Sequence, residues 1–310
     1  MKQQIIDLWK TAFGDSDAFV NLWFERIYRD EQTPVVRKNG RIVSALQIIP
    51  YEMIYFGERI PAAYVCGVCT LPSERGKGHM TMLMRQALDA MRERKFAVTA
   101  LIPGEGWLFD YYRRFGYETA FDRSVETLRL RTHTSPAAAT CRVAPSGCIA
   151  EGAIASFYDR MQSAHSCAVL HCAGDLENIR LDCLADGGDC WVAFVDGRPA
   201  GMTFAVPEAD GTVLFKEIAC DDRPARDALI RFVAKHYHAH TARVHIPPAV
   251  AFSVPYGMAC VLDAERMYNI YLRHNPAPAT GNPLRTNIAA CTQTLLRYDC
   301  RAGYMNLMLD

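Results

Sequence analysis

The sequence lacks a charge bias, a long apolar run and an unbroken apolar N-terminus. Lys plus Arg and Asp plus Glu each number 34 in the 310 residues, so no net charge attracts nucleic acid or anionic membrane. The N-terminal segment places Asp7, Lys10 and Asp15 among its apolar residues, unlike a secretory signal. No later apolar run approaches membrane-spanning length. We expect a cytoplasmic protein that binds neither nucleic acid nor membrane and recognises anions only at a local site.

The cysteine pattern also excludes two kinds of site. The 12 cysteines are scattered through a large chain, whereas disulfide frameworks are typical of small secreted domains, so we expect reduced thiols. Cys66 and Cys69 have the spacing of a zinc or redox pair, but there is no second CxxC pair, and Gly67-Val68 falls within a predicted strand. We therefore expect no metal site. None of the cysteines has a recognisable His partner motif, which disfavours a cysteine nucleophile.

The first 130 residues have the pattern of two helices, a meander and a strand–loop–helix unit. Apolar residues recur at helical spacing within 5–13 and 18–28. Asn39-Gly40 and Phe56-Gly57 are turn signals between β-rich runs, which predicts three antiparallel strands. The remaining predictions are an amphipathic helix at 79–94, a buried strand at 96–102, a helix at 107–114 that Gly116 ends, and an extended segment at 117–131.

The same order of elements occurs a second time after a predicted linker at 132–147, where proline, alanine and glycine replace any periodic pattern. A hairpin turning at Asp196-Gly197, a strand at 213–219 and a helix at 226–237 follow. We interpret the repeated order as a diverged internal duplication. The second strand–helix junction carries Asp221-Asp222 where phosphates would need amides, so this copy is expected to bind no nucleotide.

The segment 67–81 carries the clearest chemical signal: a strand ends, a loop with two glycines follows, and a helix begins. The first turn of a helix has unpaired N–H groups and partial positive charge, which together suit a pyrophosphate. Gly76 and Gly78 allow close backbone approach, and Arg75 and Lys77 add attraction. The alternative is a tight turn with solvated charges, because strand–GxG–helix alone is a weak signal.

Arg75-Gly76-Lys77-Gly78 after Val68-Cys69-Thr70-Leu71-Pro72 resembles the coenzyme A loop of the GCN5-related N-acetyltransferases (GNAT), with the pattern Arg/Gln-x-x-Gly-x-Gly/Ala. Met80 stands where the last Gly/Ala would be, a form similar to the Eis branch. Residues 111–117, Tyr-Tyr-Arg-Arg-Phe-Gly-Tyr, resemble the tyrosine motif of that branch. The resemblance implies an α+β fold of tandem GNAT units, each a mixed, mostly antiparallel twisted sheet flanked by helices, with a short C-terminal α/β segment.

The resemblance also implies a division of the chain and an activity. Its catalytic GNAT domain would be 1–132, a degenerate second GNAT-like domain 133–255, and a reduced sterol-carrier-like region 256–310. The implied reaction is direct transfer of an acetyl group from acetyl-CoA to the primary amine of a small molecule or peptide. Homo-oligomerisation is implied as well.

In the family, strand amides bind the pantetheine arm and the acetyl carbonyl, and loop amides hold the pyrophosphate. The matching strand residues here are Val68, Cys69 and Thr70. The matching loop residues are Arg75, Gly76, Lys77, Gly78, His79 and Met80.

Tyr112 is the candidate general acid, because a phenol with a reference pKa of about 10 is mostly protonated at neutral pH. It would donate to the coenzyme A sulfur. A lysine-like amine with a pKa of about 10.4 arrives as ammonium and needs a proton acceptor. In the Eis branch this is the C-terminal carboxylate, here Asp310, although an ordinary surface terminus is the alternative. Glu105 is a second candidate base, or a solvated loop carboxylate.

Two rival functions compete with acyl transfer. A non-catalytic acyl-CoA or small-molecule binding protein would keep the fold and bind coenzyme A without releasing thiol. A phosphate-loop hydrolase is disfavoured, because His79 follows Gly78 where that motif has a Lys-Ser/Thr ending. The acceptor amine does not follow from the sequence, because loops shape its pocket.

Overall fold

The computed structural model describes residues 1–130, 141–148, 151–248, 253–275, 283–297 and 303–309. Its α-helices are α1 (Lys2–Ala12), α2 (Asp17–Leu22), α3 (His79–Glu93), α4 (Gly106–Arg113), α5 (Glu151–Gln162), α6 (Ala173–Ala185), α7 (Arg223–His236), α8 (Ala264–His274) and α9 (Ile288–Leu296). Its strands are β1 (Val35–Lys38), β2 (Arg41–Tyr55), β3 (Glu58–Thr70), β4 (Val98–Leu101), β5 (Glu118–Arg129), β6 (Cys141–Pro145), β7 (Cys167–Leu170), β8 (Asp189–Val195), β9 (Arg198–Glu208), β10 (Thr212–Cys220), β11 (Thr241–Ile246) and β12 (Val254–Val261).

The strands form one continuous open sheet that runs through both halves of the chain. Its order is β1-β2-β3-β4-β12-β5-β11-β10-β9-β8-β6, and β7 pairs with β2 beside this path. Only the pairs β3–β4 and β10–β11 are parallel within the described ranges. Side chains of β2 alternate between two layers: Leu46 and Ile48 pack with α3, while Ala45 and Ile49 pack with α1. The predicted mixed, mostly antiparallel sheet flanked by helices is confirmed.

The three predicted hairpin turns are confirmed by their backbone angles. Asn39-Gly40 has φ of 51° and 76°, Phe56-Gly57 has 48° and 81°, and Asp196-Gly197 has 50° and 77°. Two consecutive positive φ angles match the twist of the strands that a two-residue turn joins. The repeated order is present as well: β3, α3 and β4 form a strand–helix–parallel strand unit, and β10, α7 and β11 form a second.

The strand β12 lies between β4 and β5, far from its neighbours in sequence. Met258 pairs with Leu101 of β4 and Gly257 pairs with Phe121 of β5. All four residues of β4 are buried, and a buried strand needs a hydrogen-bonding neighbour on each side. Residues that the sequence assigned to a separate C-terminal region therefore complete the sheet of the N-terminal half. The division at 132 and 255 stays a prediction.

The predicted linker at 132–147 is wrong where the structure describes it. Residues 141–145 form β6, which pairs antiparallel with β8 and brings Arg142 opposite Phe194. Pro145 is tolerated because β6 is the last strand of the sheet path and ends there. The part of the predicted linker from 132 to 140 lies outside the described residues.

The C-terminal segment 303–309 is buried against both halves. The Glu217 carboxylate accepts hydrogen bonds from the hydroxyls of Tyr304 at 2.5 Å and Tyr158 at 3.1 Å and from Asn306 Nδ2 at 3.2 Å. Burial raises the pKa of Glu217 above its ordinary value. The predicted burial of the apolar tail is confirmed for 305–309. In the described ranges, no helix is both long enough and apolar enough to cross a membrane.

Candidate functional site

A β-bulge opens the edge of β3 next to the glycine-containing loop. Ala45 pairs with Cys69 and Gln47 pairs with Cys66, so β3 has one extra residue between these two pairs. Gly67 provides it with a φ of +57°. The parallel pairing of β3 with β4 ends at Tyr64. From residue 65 to residue 70, the edge of β3 that faces β4 therefore has no strand partner within the described residues. The Thr70 carbonyl accepts from Arg75 Nε at 3.3 Å, and the other backbone groups of this edge have no strand to bind.

The start of α3 follows this edge and has no side-chain cap. Gly78 is the N-cap, with φ of +82°, and it has no side chain to accept from the first amides of the helix. No acidic residue lies in the first turn. A Cβ built on Gly76 or Gly78 would meet no atom within 4 Å, so the space above the loop is open. These free amides and the helix dipole are what an anion requires.

The loop residue Glu74, which carried no signal in the sequence, contacts three basic side chains. Glu74 accepts from Lys38 Nζ at 3.0 Å, from His79 Nε2 at 3.2 Å and from Lys77 Nζ at 3.1 Å. These contacts lower the pKa of Glu74 from 4.5 to about 2, with the Lys38 hydrogen bond as the largest cause. Lys77 also donates to the Ser73 carbonyl at 2.8 Å. Its ammonium is therefore directed back onto the loop.

Glu74→Gln is expected to remove an acid-dependent contribution to stability. The folded pKa of Glu74 lies below the unfolded one, so its contribution is complete above about pH 4.5 and is lost as the pH falls toward about 2. Urea unfolding at about pH 5 and about pH 3 should show a larger loss in the wild type than in Glu74→Gln. Glu93→Gln is the control, because Glu93 forms no ion pair with any described residue. Equal losses in all three proteins would contradict the prediction.

Tyr112 lies on the opposite wall, on α4. Its side chain is buried, and its ring makes an edge contact with the ring of Tyr111 at a centroid distance of 5.3 Å. Burial raises the pKa of Tyr112 above its ordinary value. The phenol is therefore protonated across the physiological range and can serve only as a proton donor there.

Glu105 precedes α4 at the mouth of the cleft. Its carboxylate accepts from Trp107 Nε1 at 2.6 Å, and Trp107 is 62% exposed. Tyr111 is covered by the Arg114 guanidinium at 4.4 Å from the ring centroid. This wall therefore presents aromatic surface to the cleft, with one carboxylate at its rim.

A single cleft of about 560 Å³, which we call the loop cleft, brings most of the predicted residues together. Of the predicted residues, its lining includes Val68, Cys69, Thr70, Arg75, Gly76, Gly78, His79, Met80, Glu105 and Tyr112. Lys77 does not line it. Asp310 lies outside the described residues, and the residues before it, 306–309, line a different cleft. The roles of these residues stay predictions.

The corresponding helix start in the second half is closed. The Asp222 side chain caps α7 by accepting from the Ala225 amide at 2.8 Å, and Pro224 at the start of the helix has no N–H. Asp221 pairs with Arg160 at 2.7 Å. One backbone N–H is thus bound by the cap and another is missing, so the start of α7 offers an anion fewer free N–H groups than the start of α3 does. The interpretation of Asp221-Asp222 from the sequence agrees with this geometry.

Residues 2–120 match the family model for the acetyltransferase (GNAT) domain. These residues are a GNAT domain. The predicted resemblance to this superfamily is confirmed, and the loop cleft lies within its matched range. The comparison with curated proteins finds no match.

Three solved structures share the fold of this chain over most of its length. A probable N-acyltransferase from Enterococcus faecalis has a TM-score of 0.71 at 20% identity, over 84% of this chain and 70% of that one. Eis1 from Mycobacterium abscessus has a TM-score of 0.66 at 16% identity, over 86% and 72%. An N-myristoyltransferase from Saccharomyces cerevisiae, solved with myristoyl-CoA, has a TM-score of 0.50 at 12% identity, over 83% and 75%. At these identities the likeness concerns the fold alone.

Several lining residues of the GNAT domain were missed by the sequence analysis. Ala12 and Phe13, at the end of α1, line the loop cleft, although 54 residues lie between Phe13 and Val68. No local sequence pattern marks these two residues as part of the site. Trp107 follows the turn signal Pro103-Gly104-Glu105-Gly106, but its exposure is visible only in the structure.

The cysteines of the described ranges behave as the sequence predicted. All ten whose side chains the structure describes are free thiols. Burial raises the pKa of Cys69 to about 12, so its side chain is a neutral thiol and not a nucleophile. No group of three His, Cys, Asp or Glu side chains is placed to hold a metal in the described part.

Proposed function

We propose that the chain is an N-acetyltransferase that transfers an acetyl group from acetyl-CoA to a primary amine. One observation carries the proposal. The uncapped start of α3, the unpaired edge of β3 and the buried phenol of Tyr112 face the same cleft. These features match the three parts of the reaction, which are an anionic carrier, a carbonyl to be held and a leaving thiolate to be protonated.

The residues present fit an acyl-CoA. The open space above Gly76 and Gly78 accommodates a pyrophosphate near the amides of 79–81. A side chain at either glycine would occupy part of that space. The aromatic wall at Trp107 and Tyr111 offers surface for the rest of the carrier. The yeast N-myristoyltransferase of similar fold was solved with myristoyl-CoA, which supports an acyl-CoA here. The acetyl group itself is inferred from the family resemblance.

In this mechanism the chain holds the carbonyl and moves protons. Backbone N–H groups of 68–70 donate to the thioester oxygen, which makes its carbon more electrophilic. The amine nitrogen forms a bond to that carbon, and the carbon–sulfur bond breaks. Tyr112 donates its proton to the departing sulfur. The ammonium form of the amine loses two protons: one passes to the base before attack, and the second, released as the carbon–nitrogen bond forms, restores the Tyr112 hydroxyl. The products are the amide, the coenzyme A thiol and one released proton, so atoms and charge balance.

The amine must lose a proton before or during attack. Glu105 lines the loop cleft and is one acceptor. The resemblance offers the C-terminal carboxylate of Asp310 as the other. In the same proposal the second half is catalytically silent, consistent with the capped start of α7. A cytoplasmic location and self-association also belong to the proposal, and the free thiols of the described residues suit a reducing compartment.

The proposal is tested by binding and turnover together. Calorimetry should show coenzyme A binding, and a thiol-release assay with acetyl-CoA should show turnover with at least one amine of a broad panel. Gly78→Asp places a carboxylate where the diphosphate would lie, and we expect at least a tenfold loss of coenzyme A affinity, about 1.4 kcal/mol. Gly57→Asp is the matched control, since Gly57 also has a positive φ and open space but lies at a distant turn.

Each outcome separates the alternatives. Coenzyme A binding without thiol release for any amine would favour a non-catalytic acyl-CoA binding protein. No binding at all, or equal binding by Gly78→Asp and the wild type, would remove the loop cleft as the coenzyme site.

A further inference from the structure

A second cleft, which we call the tail cleft, lies beside the GNAT domain between its sheet and the C-terminal segment. Its volume is about 350 Å³. Its lining residues are Asp15, Ser16, Phe19, Arg123, Asp182, Ala185, Asp186, Leu214, Lys216, His245, Tyr256, Asn306, Leu307, Met308 and Leu309. It is distinct from the loop cleft, and neither the family match nor the predicted site residues assign it a role.

Basic side chains come from three neighbouring strands. Lys216 is the extra residue of a β-bulge in β10, because Phe215 pairs with Ala205 and Glu217 with Phe204. On the neighbouring strand β11, His245 follows the end of the β10–β11 pairing and pairs with β5 opposite Val125. Arg123 is two residues from Val125 and therefore on the same face. The sheet side of the cleft is thus basic.

Acidic side chains come from the helices on the other side. Asp182 and Asp186 lie at the C-terminal end of α6, and Asp15 lies just before α2. At one end the two sides join, since Lys216 Nζ contacts Asp182 Oδ2 at 3.0 Å. This ion pair closes that end of the tail cleft and neutralises its lysine.

The remaining charges of the cleft are not neutralised within the described residues. Arg123 forms no ion pair with any carboxylate of the described residues, and its Nε is buried without a hydrogen-bond partner there. Its guanidinium lies over the ring of Tyr256, 4.3 Å from the centroid. Among the same residues, Asp15 and Asp186 have no ion pair either. A buried guanidinium N–H without a partner is costly, which marks a place for an acceptor.

His245 adds a neutral imidazole to the same side of the cleft as Arg123. Burial, followed by repulsion from Arg123 and Arg243, lowers the pKa of His245 to about 4. The imidazole is therefore uncharged at neutral pH and adds no positive charge to the sheet side of the cleft.

The tail cleft is close to the bulge that opens β3. Trp9 contacts Gly67, because a Cβ on that glycine would lie 2.5 Å from Trp9 Cζ3. The other end of the same indole donates from Nε1 to Asp15 Oδ2 at 2.6 Å. Asp15 is therefore one indole length from the bulge, and Phe13, two residues before it, lines the loop cleft. The segment from Phe13 to Asp15 borders both clefts.

We propose that the tail cleft binds the acceptor and that this acceptor is an amine that also carries a carboxylate, such as an amino acid or the terminus of a peptide. Arg123 binds the carboxylate, and Asp15 lies on the side from which the ammonium group approaches the edge of β3. The inference rests on the proposed acyl transfer and narrows its substrate class. Among the described residues, one cation and two carboxylates of the cleft have no ion pair, which suits a zwitterion better than a polyamine, which Arg123 would repel.

Matched pairs of probes test the inference: lysine beside cadaverine, phenylalanine beside phenethylamine, and a dipeptide beside its C-terminal amide. Binding is measured by calorimetry with coenzyme A present, and turnover by thiol release. We expect the carboxylated member of at least one pair to bind tenfold or more tightly than its partner, which is about 1.4 kcal/mol. This comparison uses the wild type and does not depend on a variant folding.

Arg123→Gln should abolish the difference in affinity between the two members of a pair. It should raise the Kd and KM of the carboxylated member at least tenfold and change those of the member without a carboxylate less than twofold. Arg123→Lys should restore part of it, since the charge remains but the planar fork is lost. Arg129→Gln is the control, because Arg129 is exposed on the same strand and lines neither cleft. Equal binding of both members in every pair, or equal losses for both in Arg123→Gln, would overturn the inference.

The same data distinguish this inference from the proposed function. Thiol release with amines regardless of a carboxylate would retain acyl transfer and overturn the zwitterion site. Carboxylate-dependent binding without thiol release would retain the site and overturn acyl transfer.

Discussion

Tyr112→Phe should lower kcat by about 100-fold, about 2.7 kcal/mol, while coenzyme A affinity changes less than twofold. The substitution removes one hydroxyl from a buried ring that lines the loop cleft. Without this donor, the thiolate must leave unprotonated or wait for water. Burial raises the pKa of Tyr112 above its ordinary value, so its proton is present across the physiological range. Single-turnover thiol release measures the effect on the chemical step.

Tyr237→Phe is the matched control for this substitution. Tyr237 follows α7 in the second half, packs against Trp191 and lines neither cleft. It should leave kcat unchanged. If Tyr112→Phe and Tyr237→Phe behave alike, Tyr112 packs the cleft wall and another group protonates the sulfur.

Gly67→Ala should destabilise the chain by about 2–4 kcal/mol and weaken coenzyme A binding. Two costs combine. A φ of +57° disfavours any residue with a Cβ, and that Cβ would lie 2.5 Å from Trp9 Cζ3. Trp9 cannot move freely, because it packs against Trp23 at 5.4 Å and its Nε1 is bound to Asp15. Removing the overlap between the new Cβ and Trp9 would therefore displace either the bulge or α1. Urea unfolding gives the stability, and calorimetry gives the affinity.

Gly57→Ala separates the two costs. Gly57 has a φ of +81° but no atom within 4 Å of a built Cβ. Gly57→Ala should therefore destabilise the chain only through backbone strain, by about 1–2 kcal/mol. Gly67→Ala should cost less in the Trp9→Leu background than in the wild type, because the smaller side chain removes the overlap. Equal losses for Gly57→Ala and Gly67→Ala, with the same loss for Gly67→Ala in both backgrounds, would show that Trp9 does not press on the bulge.

Local patterns in the sequence predicted the local structure well. The turns at Asn39-Gly40 and Asp196-Gly197 require positive φ angles, which few other dipeptides tolerate. The helix α3 follows from its apolar spacing. In contrast, β12 could not be placed, because its neighbours β4 and β5 are chosen by long-range register and burial. The strand β6 was mistaken for linker, since an edge strand that ends in proline resembles a loop.

The candidate site was predictable only where one segment builds it. The residues 68–70 and 75–80 are contiguous, so a motif could describe them. Glu74 was missed within the same loop, because its role as the partner of Lys38 depends on β1 lying beside the loop. Arg123 gave no signal either, since its strand, its neighbouring basic residues and the tail that covers them come from distant parts of the chain. No local sequence pattern marks residues that come together from distant parts of the chain.

The placement of β12 has a consequence for synthesis of the chain. A ribosome makes β4 and β5 early, yet the strand that covers one edge of each is made only after most of the second half has emerged. During that interval both edges are open templates for pairing with other chains. A fragment cut after residue 130 would keep that exposure permanently, even though it contains the whole loop cleft. The later part of the chain thus supplies the strand that covers the open edges of β4 and β5.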